Sequence, residues 1–347
     1  MKTKLLPHLL GLLSITATIH CQAGEPYRLL KEIPVGGEGG WDYLTVDSSA
    51  HRLYVSHATK VVVIDIAKDA VVGEISDTPG VHGIAIAPDL QRGVTTIGRE
   101  DKAGIVDLKT LQTITKLDTG KNPDGMLYEP AWNEAWIFNG SGHSATVIDL
   151  KAGRVVATIP LSGKPEFATS DPKAGRVYNN IEDKNTVVVM DAKRHEVVAT
   201  WPIAPGEGAS GMAIDLANHR LFLGCGNKMM AMMDSATGKV VGTVPIGDGV
   251  DANAFDPETK LAFASCSDGT VTIAHEDSPD RLTVVQTLKT ERGSRTMALD
   301  PSTHRIYLAA VKYETPAAGA PGGGRGRGKA VPGSFKILVF GMEKSAP

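Results

Sequence analysis

Residues Ser144–Gly163 read SATVIDLKAGRVVATIPLSG, and this stretch decides the fold. Val147-Ile148-Asp149 is a β-branched run closed by an aspartate. After a short loop comes a second run, Val155-Val156-Ala157-Thr158-Ile159. Both are too short and too β-branched for helices, so they read as consecutive strands. The pair recurs as Val61–Asp65 with Val71–Ile75, and as Val187–Asp191 with Val197–Thr200.

Upstream of each pair stands another: an apolar strand, a turn, then a strand such as Arg52-Leu53-Tyr54-Val55, Arg176-Val177-Tyr178, Arg220-Leu221-Phe222-Leu223 or Arg305-Ile306-Tyr307-Leu308. The turns begin at Asp47, Ala87, Glu129, Asp171, Asp215, Asp256 and Asp300, at spacings of 40, 42, 42, 44, 41 and 44. Four short strands in a unit of about 42 residues make a propeller blade. The expected fold is therefore all-β: a seven-bladed β-propeller with four-stranded antiparallel blades. The seventh unit lacks a fourth strand, and a spare one, Tyr27 to Val35, sits at the N-terminus. Pairing the two closes the ring and leaves no long unprotected edge. The repeated aspartates Asp65, Asp107, Asp149, Asp191 and Asp234 read as turn chemistry, because Asp accepts backbone N–H bonds where a turn begins.

The units resemble the YVTN β-propeller repeat family, the YncE-like proteins. The matching pieces are Leu53-Tyr54-Val55-Ser56-His57, Val147-Ile148-Asp149 and Val155 to Gly163. The resemblance spans about residues 27–345 and implies the propeller fold. It says little about activity, although similar propellers include lyases, lactonases and parts of periplasmic oxidoreductases.

Formal net charge is −3, and Lys2 and Lys4 are the only charges among the first 23 residues, so their removal takes −3 to −5. An acidic chain has no bulk attraction to nucleic-acid phosphates or anionic lipid. Lys2 and Lys4, the apolar run Leu5 to Ala17 and the following Cys21-Gln22-Ala23 read as a cleaved signal peptide over 1–23. The run is too short for a comfortable membrane span. A lipoprotein anchor at Cys21 is the rival, with His20 a poor residue before such a site. The propeller then occupies 24–347 of a periplasmic or secreted protein, expected as a monomer. A Gly/Pro/Arg-rich insert at 314–334 interrupts blade seven. Its composition cannot bury apolar area, so flexibility is expected.

Five residues before each turn stands a polar or charged side chain: Asp42, His82, Asp124, Glu166, Ser210, Asp251 and Arg295. Equivalent positions in a propeller converge on one mouth of the central channel, where loops individualise the molecule. Small or apolar residues such as Ala85, Leu127, Ala213, Ala254 and Ala298 follow toward the interior. The candidate ligand site is therefore Asp42, His82, Asp124, Glu166, Asp251 and Arg295, with Trp41 and His57 beside it. Carboxylates with one imidazole suit a divalent metal, for which Asp42, His82, Asp124 and Glu166 are the candidates. Arg295 suits a carboxylate or phosphate. His143 and Glu182 are further loop candidates on the same face. Cys225 and Cys266 end equivalent strands and are expected as free buried thiols.

No nucleophile elbow, metalloprotease helix, haem site or P-loop is present in the sequence. The expected function is an exported binding or interaction protein that uses the polar ring for a small ligand, a metal ion or a periplasmic partner protein. The alternative is a metal-assisted propeller enzyme, a lyase or lactonase-like hydrolase or an oxidoreductase-associated protein; nucleic-acid binding ranks third, favoured only by the Arg-rich insert and opposed by the acidic balance. In the enzyme reading His82 would act as base or ligand, with Asp42, Asp124 or Glu166 as partners.

Overall fold

The computed structural model describes residues 26–314 and 329–342. The stretch expected to be a signal peptide and the centre of the insert lie outside the described residues. The rest forms seven four-stranded antiparallel sheets arranged as a ring, with no α-helix among the described residues.

Each blade runs outward in sequence order from an inner strand. The inner strands are Leu44–Asp47, Val81–Ala87, Pro123–Glu129, Pro165–Asp171, Ala209–Asp215, Val250–Asp256 and Met297–Asp300. The seventh blade is completed by Tyr27–Pro34, which pairs antiparallel with Lys336–Met342, Tyr27 opposite Met342 and Pro34 opposite Lys336. The seam is locked sideways to blade six. Tyr27 donates its N–H to Gln286 Oε1 at 2.9 Å and accepts from Gln286 Nε2 at 2.7 Å.

Seven apolar clusters hold the ring, one at each blade–blade contact. Their centre is the same position of every second strand: Tyr54, Val94, Trp136, Tyr178, Phe222, Phe263 and Tyr307, each at most 1% exposed. A large ring at this position spans the gap between two twisted sheets, so six of the seven are aromatic. The turns are built as read. Asp149 Oδ1 accepts from the N–H groups of Lys151 and Ala152, both at 2.9 Å, and Asp65, Asp107, Asp191 and Asp234 repeat the pattern.

Candidate functional site at the channel mouth

The polar ring is aimed inward by a backbone irregularity. In blades two to six the ladder slips between the first residues of the inner strand and the rest, as between Val81 and Ile84 or Pro123 and Met126. A slip of this kind re-aims the side chains it carries. His82, Asp124, Glu166, Ser210 and Asp251 sit in these irregular openings. Buried polar residues of the second strands pin them. Ser56 Oγ accepts from Asp42 N at 2.8 Å, Thr96 Oγ1 from Gly83 N at 3.1 Å, and Asn180 Nδ2 donates to Ser210 O at 2.9 Å.

A cavity of about 410 Å3 occupies the mouth, lined by Asp42, Asp124, Glu166, Ser210, Asp251 and Arg295 from the ring. Tyr43 and Phe167 form its floor, meeting from blades one and four with ring centroids 4.4 Å apart. The Tyr43 hydroxyl is enclosed and has no hydrogen-bond partner. Burial raises its pKa well above the ordinary phenol range, and the charges of Asp124, Glu166, Asp42 and Asp251 add to that.

His82 lies between two neighbours. Its Nδ1 donates to Asp42 Oδ2 at 2.8 Å and stands 3.4 Å from Asp124 Oδ1. Burial opposes its charge, but the Asp42 hydrogen bond and the charges of Asp124 and Asp42 push its pKa up to about 9. Asp124 is pushed up to about 6 by burial, against the opposing charge of His82. Glu166 is pushed up to about 7 by burial and then by the Asp124 charge. Lys164 opposes this: its Nζ sits 2.5 Å from Glu166 and 2.8 Å from Glu182. Arg295 has its pKa raised first by the Asp251 charge, with Nε 3.7 Å from Asp251 Oδ2.

Asp42, His82 and Asp124 therefore converge, with one ligand-type atom of each inside a 4.8 Å group. Glu166, expected with them as a metal ligand, is not in that group and is tied to Lys164. His57 is not brought to the mouth. It is buried, stacked on Phe335 at 4.3 Å, and burial lowers its pKa. Trp41 packs on Phe335 at 5.3 Å and lines an adjoining cavity of about 460 Å3 between blades one and two, which also touches Asp42, His82 and Asn122. Glu182 lines the mouth, while His143 is exposed and lines neither cavity. Cys225 and Cys266 are free and buried.

Sequence reasoning missed Tyr43, Phe167, Lys164 and Asn122. A signal for the floor existed. The position after each ring residue is Tyr43, Gly83, Gly125, Phe167, Gly211, Ala252 and Thr296. Two aromatics among small residues at a common radius fill the space the others vacate.

Comparison with known proteins places the chain in the class the ring defines. No protein-family model matches it, and no curated protein matches it. Among solved structures, it superposes on a chain of Kuenenia stuttgartiensis hydrazine synthase with a TM-score of 0.68 and 18% identity, over 79% of this chain and 94% of that one. It superposes on a chain from a crystal structure of the mitotic checkpoint complex with a TM-score of 0.72 and 13% identity, over 99% of this chain and 100% of that one. At such identities the likeness is one of fold alone: the protein is a seven-bladed β-propeller.

Proposed function

We propose that this is an exported binding propeller, of the YVTN type, whose channel mouth takes a small polar ligand. The Tyr43 hydroxyl carries the reading. An enclosed hydroxyl without a partner has lost the hydrogen bonds it makes in water. A ligand reaching the floor of the mouth restores one. The walls supply acceptors from Asp42, Asp124 and Glu166, and cationic donors from Arg295 and Lys164. Gly208, Gly226 and Gly249 leave room on the side of blades five and six. At Gly249 the backbone is left-handed (φ 68°), and a Cβ would come within 2.2 Å of Ser267 Oγ.

The test is a calorimetric and melting-temperature screen of small polar compounds, run in EDTA on the parent, Tyr43→Phe and Arg295→Gln. At least one compound is expected to raise the Tm of the parent and to lose most of that effect in Arg295→Gln. If no compound acts on the parent, or if its effect survives both substitutions, the mouth is not the binding site.

A further inference from the structure

Three consecutive blades each contribute one side chain to the point where the mouth meets the adjoining cavity: Asp42 lines both, Asp124 the mouth and His82 the adjoining cavity. Asp42 Oδ2 and Asp124 Oδ1 both face His82 Nδ1, at 2.8 and 3.4 Å. On its Nε2 side the imidazole is approached by the Asn122 side chain. The two flank one point over Gly98, where a Cβ would lie 2.9 Å from His82 Nε2 and 3.1 Å from Asn122 Oδ1. That contact orients the ring with Nδ1 toward both carboxylates, the way an outer-shell partner holds a ligating histidine.

Charge points the same way. Asp42, Asp124, Glu166, Asp251 and Glu182 line or adjoin the mouth, against Lys164 and Arg295. Five carboxylates face two fixed cations, and a dication bound in place of the His82 proton removes two of that excess of three. Tyr43, whose enclosed hydroxyl has no partner, lines the same cavity as Asp42 and Asp124.

Resting on the reading of the mouth as a ligand site, we propose that Asp42, His82 and Asp124 hold a divalent transition-metal ion at this point. Three protein ligands leave coordination positions open to the cavity, the arrangement of a metal that binds ligands rather than one that only braces the fold. One imidazole nitrogen with two carboxylates favours Mn2+ or Zn2+ over Ca2+ or Mg2+. The open positions adjoin the small ligand's place in the mouth and would add a contact to one of its oxygens.

The experiment uses the full chain without a histidine tag, stripped with EDTA and then titrated with Mn2+, Zn2+ and Ca2+. One Mn2+ per chain is expected, displaced by Zn2+, with enhanced water-proton relaxation from water at the open positions and no comparable Ca2+ binding. Asp42→Asn, Asp124→Asn and His82→Gln each weaken Mn2+ binding by about tenfold or more, and Asn122→Ala by about tenfold. His219→Gln, on the far face, leaves it unchanged. Circular dichroism checks that each variant folds. If a ligand variant does not fold, the relaxation signal and Zn2+ competition on the parent and on Asn122→Ala decide. Absence of stoichiometric Mn2+, or full binding in both aspartate variants, overturns the proposal. Such a failure, with compound-dependent Tm shifts persisting in EDTA, leaves the mouth as a ligand site without metal. Loss of both removes both readings.

Discussion

At the scale of single residues, the polar ring and the turn aspartates use the same chemistry for opposite ends. At the turns, carboxylates find backbone N–H groups and become structure. At the mouth they find one another, with too few cations between them. Their identity was legible in sequence because seven equivalent positions could be aligned by counting back from the turns. Which of them meet was not legible: the ladder slips redirect each side chain, and Lys164 draws Glu166 aside. His57 shows the same limit, since its Gly-rich neighbourhood and the Phe335 ring bury it where a loop residue was expected. A second carboxylate cluster lies between blades five and six on the opposite face. Glu276 is pushed up to about 7 by burial and then by Asp215, with Asn218 bridging the pair. A folded pKa raised above the unfolded value means that the stabilisation is complete below about pH 4.5 and is lost as pH rises through about 7. The Tm of the parent should therefore fall between about pH 5 and pH 8. In Glu276→Gln that slope should flatten, with a gain of a few degrees at the alkaline end in a pH series of thermal melts.

At the scale of elements, a blade is held both by its own ladder and by the apolar cluster it shares with the next blade. The rings at the centre of six of the seven second strands are shared between two sheets, and Phe263 also meets Tyr27 edge-on at 5.2 Å. Phe263→Ala should cost about 3–5 kcal/mol, read from the shift of a denaturant midpoint, since neighbouring sheets cannot collapse into the space. The strands themselves were readable from β-branched runs, and their order from the regular spacing of the turns. The floor of the channel was harder to see. It depends on Tyr43 and Phe167 reaching across the axis from blades three units apart, and periodicity along one chain carries no distance across a ring.

At the scale of the whole molecule, two features depend on the ends of the chain. Export is supported by Lys2, Lys4 and the apolar run after them. The protein recovered from its native host should begin at Gly24, as read by intact mass; a mass that retains residues 1–23, or an added lipid on Cys21, contradicts that cleavage. The other feature is the seam. Lys336 reaches Glu32 at 3.0 Å across 304 residues of sequence, so ring closure waits until nearly the whole chain is present. The pairing is antiparallel, with Tyr27 facing Met342, so the chain enters and leaves the described fold at the same end of the ladder. A tug on the two ends opens that ladder like a zipper, one hydrogen bond at a time, instead of shearing all of them together. Blade seven is thus the weak seam under tension, and the circle would come apart first where it was fastened last.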